Sequence, residues 1–504
     1  MQSVKTAPLA TRLLFASRIV PFAFLVSAGC ARTPAAVTPA RPDPIQQLRQ
    51  DVAAATNAPG VQRASWGIVV QSLDRDERLV EVNPRMLLVP ASTAKIVSLA
   101  AAAEAVGWDF RFETTVRATA PIVDGVIHGD LVVVGSGDPS IGGRGGADLT
   151  AWVDSLKTLG LRRVDGRVIG DDDGIEEPRP QLAWAWDDLG YPTGVLFGAL
   201  NVAENRLEVV VAPAMSAGGA AALAVQPHAA YRPLANRTVT GLYGSPQLLW
   251  PEQRPGEPFL TIAGSIPAGA PPARLQVSAG NPTFWFAAVF RHALLTGGIE
   301  VTGDAFDVDD VSPAPEHGNS QLLYTHRSPT LAEIAQPLLK DSINLYGEAV
   351  LRLNVPRGVF ATNDAALEGL RSRLLSWGIA ADAWQIIDGS GLSRRDVVAP
   401  EALVTVLQRM FKAPAGPAWM TAFPVAGRDG TLAERMRGTA AEGNLRAKTG
   451  TMSNIRALAG YVRTRDGETL AFAIIADNFE GPGNAAVAAI DGIAVRLAEF
   501  SRKR

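Results

Sequence analysis

The sequence predicts an α+β fold in which one antiparallel sheet is assembled from both ends of the chain. Strand and helix patterns occur within residues 45–107 and again within 455–500. The stretch from about 112 to 325 is instead rich in glycine, proline and short strand patterns. We therefore predict a main domain whose sheet is flanked by helices and whose chain is interrupted by nested, mostly-β insert domains.

Composition agrees with a multidomain globular protein. The chain has 504 residues, more than one ordinary core accommodates, so two or three domains are expected. Hydrophobic residues make up 47% and charged residues 19%, which is typical of folded proteins. The net charge of −3 provides no strong attraction to nucleic acid, and no nucleic-acid partner is expected.

Residues 1–30 have the pattern of an export signal peptide. Lys5, Arg12 and Arg18 precede an apolar stretch at 19–26 that is too short to span a membrane. Small residues lead to Cys30, the only cysteine, so we predict a lipoprotein-type signal with lipidation at Cys30. Cleavage by an ordinary signal peptidase slightly further on is the alternative. Residues 31–45 are predicted to form a flexible tether.

The first part of the main domain is predicted from residue 45 onward. A helix at about 45–57 precedes strands at 65–72 and 78–82, which flank a charged turn. An alanine-rich helix then begins near Ser92 and is closed by Gly107.

The middle of the chain predicts one or two β-rich modules. Strand patterns occur at 114–118, 126–134, 164–169, 207–211 and 259–262, and helix patterns at 148–159 and 282–296. Three consecutive aspartates at 171–173 are predicted to form a solvated turn.

The C-terminal part predicts a return to the main domain. Helix patterns occupy 331–339 and 364–377, a hairpin joins strands at 455–463 and 468–476, and a last helix covers 484–500.

Three short motifs carry the candidate chemistry, each occurring once and in one order. They are S-x-x-K at 92–95, S-x-N at 342–344 and K-T-G at 448–450. Each alone is compatible with an ordinary helix cap or a surface lysine. Together they supply the groups for acyl transfer that class A β-lactamases and penicillin-binding proteins share.

Ser92 is the candidate nucleophile and Lys95 the candidate base. Three residues apart on a helix, they share one face, and the helix start favours a developing alkoxide. Serine needs a base to become nucleophilic. Lysine serves only when neutral, and both burial and a second cation, Lys448, would lower its pKa.

The other two motifs are predicted to hold substrate and move protons. Ser342 would relay a proton to the leaving amine, and Asn344 would bind the substrate amide. Lys448 and Thr449 offer an ammonium and a hydroxyl to a substrate carboxylate, and Gly450 would let an extended substrate approach the strand edge. The backbone N–H groups of Ser92 and Thr451 are the predicted oxyanion-hole donors.

Over roughly residues 60–480 the chain resembles the low-molecular-mass class C penicillin-binding proteins, the D-alanyl-D-alanine carboxypeptidase/endopeptidases. Besides the three motifs, the resemblance rests on the segments 129–131, 135–139, 184–188, 201–205, 388–393 and 430–432. Class A β-lactamases lack so long an insertion between the first two motifs. Ile343 stands where this family often has Asp or Asn.

The resemblance implies a penicillin-binding, β-lactamase-like catalytic domain at 46–111 and 326–504. It also implies insert domain II at 112–200 and 264–325, and insert domain III at 201–263. The expected activity is hydrolysis of the terminal D-Ala-D-Ala bond, or of peptide cross-links, in peptidoglycan, with β-lactams as covalent inhibitors. The resemblance also implies a role for each matching residue. Ser92 would be acylated, Lys95 would be the general base and Ser342 would relay a proton. Asn344 would hold the substrate, Lys448 with Thr449 would bind its carboxylate, and Asp188 would contact the substrate side chain.

Two alternatives stay open at this point. One is a β-lactamase or esterase on the same scaffold, and the other is a non-catalytic cell-wall-binding protein. The five histidines lack metal-ligand spacing and the glycine-rich stretches lack Walker spacing, so neither a metal nor another cofactor is expected. We expect an exported, periplasmic protein, anchored to the membrane by lipid if Cys30 is modified.

Overall fold

The computed structural model describes residues 43–503 except 145, 147, 227–231 and 316–319. The signal peptide, Cys30 and nearly all of the tether lie outside the described residues.

The helices within the described ranges are α1 Pro44–Thr56, α2 Ala94–Val106, α3 Leu149–Thr158, α4 Pro282–Thr296, α5 Leu331–Lys340, α6 Asn344–Arg352, α7 Asn363–Ser376, α8 Pro400–Lys412, α9 Gly416–Thr421 and α10 Gly483–Glu499. The strands are β1 Ser65–Ser72, β2 Glu77–Val82, β3 Glu113–Ala118, β4 Ile122–Val123, β5 Val126–Ile127, β6 Leu131–Val134, β7 Arg163–Val164, β8 Val168–Asp171, β9 Arg206–Ala212, β10 Ala222–Gln226, β11 Leu234–Gly241, β12 Leu248–Glu252, β13 Leu260–Pro267, β14 Ala273–Ser278, β15 Glu300–Val301, β16 Ala305–Asp307, β17 Gln321–Arg327, β18 Trp384–Gln385, β19 Val397–Val398, β20 Arg446–Met452, β21 Ile455–Arg463 and β22 Thr469–Asp477.

The central sheet has the order β2-β1-β22-β21-β20 and is antiparallel throughout. Its strands come from both ends of the chain, which confirms the predicted α+β fold. Successive residues of β22 face two different cores: Phe472 and Ile474 pack with α1 and α10, whereas Ala473 and Ile475 pack with α2 and α8. The alternation follows from the two-residue period of a strand. Burial on both faces explains why these strands are almost wholly apolar.

The middle of the chain forms four smaller sheets. Two have the orders β16-β8-β6-β3-β17 and β15-β7-β5-β4, and they share a core with α3 and α4. The other two are three-stranded, β10-β9-β14 and β11-β13-β12. The predicted mostly-β character of this region is therefore correct.

Several predicted boundaries need correction. The predicted limit of insert domain III at residue 263 falls inside β13, and β14 pairs with β9 as far as Ser278. The limit at 325 falls inside β17. The strands predicted at 126–134 and 164–169 are each two strands, because the chain turns between them. The division into a catalytic domain and two inserts stays a prediction.

The three aspartates at 171–173 were predicted to be solvated, and this is wrong for two of them. Asp171 ends β8, and Asp171 and Asp172 are both 1% exposed. The Thr283 hydroxyl, near the start of α4, donates a hydrogen bond to the Asp172 carboxylate. Sequence gave no indication of this contact, because the two residues are 111 positions apart.

None of the described helices has both the length and the apolar character needed to cross a bilayer.

Candidate active site

Ser92 lies in a short 3₁₀ turn, Ala91–Thr93, that leads directly into α2. Ala91 adopts a positive φ of 46°, an uncommon conformation for a residue with a Cβ. Such strain persists only where the surrounding structure enforces it, and it often marks functional sites. Here it sets the direction in which the Ser92 side chain leaves the turn.

Lys95 lies within hydrogen-bond distance of three oxygen atoms. Its Nζ is 2.8 Å from Ser92 Oγ, 2.7 Å from Asn344 Oδ1 and 2.6 Å from the Ser390 carbonyl oxygen. An ammonium can donate to all three. A neutral amine can donate to the amide and the carbonyl while its lone pair accepts from the Ser92 hydroxyl. Proton transfer from Ser92 to Lys95 therefore requires no rearrangement of the partners.

The charge state of Lys95 is set mainly by burial. The side chain is wholly buried, and desolvation lowers the pKa of Lys95 to about 7, although Asp388, Glu348 and Asp396 act in the opposite direction. Near neutral pH a substantial fraction of the amine is thus unprotonated. A lowered pKa favours the predicted role of Lys95 as a base, and that role stays a prediction.

Ser342 and Asn344 lie where α5 gives way to α6. Ser342 has a φ of 62°, so the turn between the helices is strained at the residue whose hydroxyl faces the site. Asn344 is the first residue of α6, and its Nδ2 donates to the Thr193 carbonyl at 2.8 Å. The amide is thereby held between Thr193 and Lys95, which fixes its orientation.

Lys448 lies on β20, the edge strand of the central sheet, and is wholly buried. Its Nζ is 2.8 Å from Ser342 Oγ and 2.9 Å from the Thr449 carbonyl oxygen. Burial lowers the pKa of Lys448 well below its usual value, and the nearby Lys95 lowers it further. Lys448 thus connects the second and third motifs.

The edge of β20 presents backbone groups to the cleft. The Ala447 N–H points away from β21, since it donates to the Pro424 carbonyl. Because backbone direction alternates along a strand, the N–H groups of Thr449 and Thr451 point to the same open side. This placement suits the predicted oxyanion-hole donor at Thr451.

Gly450 has a packing role that the sequence did not predict. It faces away from the cleft, toward the turn that carries Ser92: a Cβ at this position would lie 2.6 Å from the Pro90 carbonyl oxygen and 2.9 Å from Ala457 Cβ. The missing side chain lets β20 approach the Ser92 turn closely. Gly450 therefore sets the distance between β20 and the Ser92 turn, and its predicted role in the approach of a substrate stays a prediction.

The loop at 388–393 contacts Lys95 and helps to hold it in place. Its Ser390 carbonyl accepts from Lys95, and the Asp388 carboxylate accepts from the backbone N–H groups of Ser390, Gly391 and Ser393. The Trp184 indole N–H donates to the same carboxylate at 2.7 Å. Asp388 is wholly buried, so these bonds replace its lost hydration and fix the loop.

The motif residues border a cleft of about 350 Å³. Asp188 also lines it, and burial raises the pKa of that carboxyl, as does Asp187. Further lining residues are Thr193, Leu392, Arg394, Thr431 and Met452. The Thr449 hydroxyl donates to the Thr431 hydroxyl at 2.9 Å, which ties the third motif to the 430–432 segment.

Sequence reasoning missed Ser390, Thr193 and Thr431 as site residues. The segments containing Ser390 and Thr431 stood out only through the family resemblance, and Thr193 had no signal. Two of the three contribute a backbone carbonyl, which any residue type could provide. Only placement in space could have identified them.

Within the described ranges, no group of three or more His, Cys, Asp or Glu side chains could hold a metal ion. The expectation that no metal takes part stays a prediction.

Taken together, the fold and the site define a serine acyl hydrolase whose candidate nucleophile lies beside a buried lysine. A hydroxyl next to that lysine, a second hydroxyl next to a second lysine, and an open strand edge surround one cleft. This is the arrangement that nucleophilic catalysis at a carbonyl requires.

Comparisons with known proteins agree with that class. Residues 48–499 match the D-Ala-D-Ala carboxypeptidase 3 (S13) family. A D-alanyl-D-alanine carboxypeptidase from Actinomadura sp. (strain R39) is 35% identical over 471 residues, covering 91% of this chain and 85% of the relative. The D-alanyl-D-alanine carboxypeptidase DacB of Haemophilus influenzae is 25% identical over 411 residues, covering 81% and 84%.

The crystal structure of penicillin binding protein 4 (dacB) from Haemophilus influenzae has the same fold. It superposes with a TM-score of 0.76 at 23% identity and covers 90% of this chain and 98% of that one. The chain belongs to the D-Ala-D-Ala carboxypeptidase 3 (S13) family. It is accordingly a serine-type D-Ala-D-Ala carboxypeptidase, a hydrolase.

Proposed function

We propose that this enzyme removes the terminal D-alanine from peptidoglycan stem peptides through an acyl-enzyme on Ser92. The observation that carries the assignment of roles is the position of the buried Lys95 amine, 2.8 Å from Ser92 Oγ. With its pKa lowered to about 7, Lys95 takes the Ser92 proton as Oγ attacks the carbonyl carbon of the penultimate D-alanine.

The departing amine receives its proton at the other side of the cleft. When the C–N bond breaks, Ser342 donates to the leaving nitrogen, and Lys448, 2.8 Å from Ser342 Oγ, orients that hydroxyl. Ser342 is then reprotonated at the expense of Lys95, so that net one proton moves from Ser92 to the released D-alanine and Lys95 is neutral again. In deacylation water attacks the ester carbonyl and gives a proton to Lys95, and Lys95 passes that proton to Ser92 Oγ as the ester bond breaks.

Lys448 and Thr449 bind the carboxylate of the terminal D-alanine. In the free enzyme burial disfavours the charged form of Lys448. An arriving carboxylate raises the pKa of Lys448 again, since an opposite charge favours the ammonium. Substrate binding and recharging of Lys448 are thus coupled. Asn344 anchors the substrate amide in this proposal.

Asp188 reads the side chain of the stem peptide. It lines the cleft together with Arg394, a cation that partly offsets the rise of the Asp188 pKa caused by burial and by Asp187. A carboxylate in this position favours a peptide side chain that ends in an amine.

Covalent inhibition by β-lactams and an extracytoplasmic location belong to the same proposal. The Haemophilus influenzae structure has also been determined in complex with a β-lactam, with a TM-score of 0.71 to this chain. The N-terminal export pattern supports a periplasmic enzyme, and Cys30 supports attachment to the membrane by lipid.

The test is intact-protein mass spectrometry over time after addition of benzylpenicillin, with Ser92→Ala as the matched control. A long-lived adduct on the wild type and none on Ser92→Ala is the expected result. An adduct that clears within seconds would instead favour a β-lactamase. The absence of any adduct would refute the acyl-enzyme and leave a wall-binding protein as the better interpretation.

A further inference from the structure

Helix α6 carries a buried carboxylate that the proposed mechanism does not use. Glu348 lies four residues after Asn344, so both side chains project from the same face of the helix. Asn344 contacts Lys95 directly, through its Oδ1 at 2.7 Å. Glu348 is almost wholly buried, and acidic side chains are seldom buried so completely unless they have specific partners.

Glu348 holds the backbone of the loop that contacts Lys95. Its Oε1 accepts from the N–H groups of Gly389 at 3.1 Å and of Ser390 at 3.0 Å, and its Oε2 is 3.2 Å from the Gly389 nitrogen. The carbonyl of the same Ser390 accepts from Lys95 at 2.6 Å. Because the N–H and the carbonyl belong to one residue, fixing the N–H restricts the direction in which the carbonyl oxygen points.

The helix and the loop approach each other closely through two glycines. A Cβ at Gly347 would lie 2.8 Å from the Gly389 carbonyl oxygen, and a Cβ at Gly389 would lie 2.1 Å from the Gly347 carbonyl oxygen. Backbone therefore packs directly on backbone, which only residues without a side chain allow. This approach brings the N–H groups of the loop within reach of the Glu348 carboxylate.

Glu348 also belongs to a group of buried charges around Lys95. The other carboxylates are Asp388 and Asp396, and the neighbouring cation is Arg352, one helical turn further along α6. All three carboxylates raise the pKa of Lys95, against the larger effect of burial. Burial and Asp388 raise the pKa of Glu348 itself to about 7, whereas Arg352 and the hydrogen bonds from the loop act in the opposite direction.

The proton on Lys95 and the proton on Glu348 therefore depend on each other. An ionised Glu348 favours the ammonium form of Lys95, and loss of that charge favours the neutral amine that a base requires. Lys448 is a second cation near Lys95, and its own pKa is lowered by burial and by Lys95.

We propose that Glu348 is a positioning residue for Lys95. It fixes the 389–390 backbone so that the Ser390 carbonyl faces the amine, and its negative charge sets how readily the amine holds a proton. The inference rests on the proposed role of Lys95 as the base. A side chain so deeply buried cannot touch a substrate, so Glu348 acts through Lys95 and the loop.

Glu348→Gln and Glu348→Ala separate the two effects. Glu348→Gln keeps a carbonyl oxygen that can accept from the loop, and it removes only the charge. Glu348→Ala removes the charge and also leaves two buried N–H groups without their acceptor. Glu368→Gln is the matched control, because Glu368 is an exposed glutamate on α7.

The measurement is the second-order rate constant of acylation by benzylpenicillin across about pH 5–9, together with urea unfolding of each variant. We expect Glu348→Gln to move the midpoint of the pH–rate profile to lower pH by about one unit, because the amine loses a nearby negative charge. Its rate on the high-pH plateau should stay within about threefold of wild type. Glu348→Ala should be acylated roughly 10- to 100-fold more slowly than wild type at every pH, because the Ser390 carbonyl and Lys95 are no longer fixed.

The possible failures are distinguishable. A wild-type midpoint in Glu348→Gln, or acylation of Glu348→Ala within about twofold of wild type, would overturn the inference and leave the acyl-enzyme proposal standing. A merely structural role would lower the stability of both variants without moving the midpoint. If Glu348→Ala does not fold, the pH profile of Glu348→Gln decides. If the wild-type enzyme is not acylated, the proposed function itself is refuted.

Discussion

Replacement of Gly450 by alanine tests how closely β20, which carries Lys448, must approach the turn that carries Ser92. The new Cβ would lie 2.6 Å from the Pro90 carbonyl oxygen, about 0.8 Å inside ordinary van der Waals contact at 3.4 Å. Ala457 Cβ, at 2.9 Å, blocks retreat in the direction of β21. The strand bearing Lys448 and the turn bearing Ser92 must therefore separate by several tenths of an ångström.

The expected consequences follow from this displacement. Overpacking of this kind destabilises a protein by about 1–3 kcal/mol. A misplacement of about 1 Å in a catalytic site can cost about 10²-fold in rate. Because the displacement here is slightly less than about 1 Å, we expect Gly450→Ala to be acylated by benzylpenicillin roughly 30-fold more slowly than wild type.

The assay is the second-order rate constant of acylation, measured together with urea unfolding. Gly492→Ala is the matched control, because Gly492 lies inside α10 and a Cβ there would meet no atom within 4 Å. That control should be acylated normally and gain roughly 0.5–1 kcal/mol, the usual advantage of alanine over glycine in a helix. Acylation of Gly450→Ala within two-fold of the wild-type rate would refute the reasoning.

Three further predictions concern individual groups of the site. A lysine acts as a base only when neutral, and the pKa of Lys95 is lowered to about 7. The rate of acylation by benzylpenicillin should therefore rise about tenfold from pH 6 to pH 8 and then level off. A rate that keeps rising about tenfold per pH unit up to pH 9 would indicate a lysine with an ordinary pKa. Ser342→Ala should lower kcat for D-alanine release by roughly 10²-fold, measured by released D-alanine, because the leaving amine loses its proton donor, and an unchanged kcat would exclude the relay. Asp188→Asn should raise KM about 10-fold or more for peptides with an amine-bearing side chain, because a hydrogen bond to a charged group is worth about 1.5–3 kcal/mol. An equally large effect on acylation by benzylpenicillin would instead indicate a structural role for Asp188.

The secondary structure of the main domain could be predicted well from sequence. Strand β1 has the predicted limits of 65–72, and β21 those of 455–463. The pattern is strong because central strands are buried on both faces and must be apolar along their length. The prediction of one strand at 126–134 is wrong, because His128, Gly129 and Asp130, two of them polar, separate β5 from β6.

Some features of the fold and of the catalytic site depended on distant contacts. Buried Asp172 accepts a hydrogen bond from Thr283, and Lys95 donates to the backbone carbonyl of Ser390. Neither has a sequence pattern of its own. Gly450 was recognised as part of a motif, but its close approach to the Ser92 turn could not be predicted, because the Pro90 carbonyl that requires a glycine is 360 positions away in sequence.

The sequence by itself determined which elements form and which residue types the chemistry uses. Periodicity of two or 3.6 residues encodes strands and helices locally, and the three motifs carry their own nucleophile, bases and hydroxyls. The tertiary structure alone decided that Lys95 meets Asn344, 249 positions further along the chain, and that Ser342 meets Lys448, 106 positions further along. It also decided that the pKa of Lys95 lies near neutral pH, because the packing of the surrounding residues removes water from this one amine.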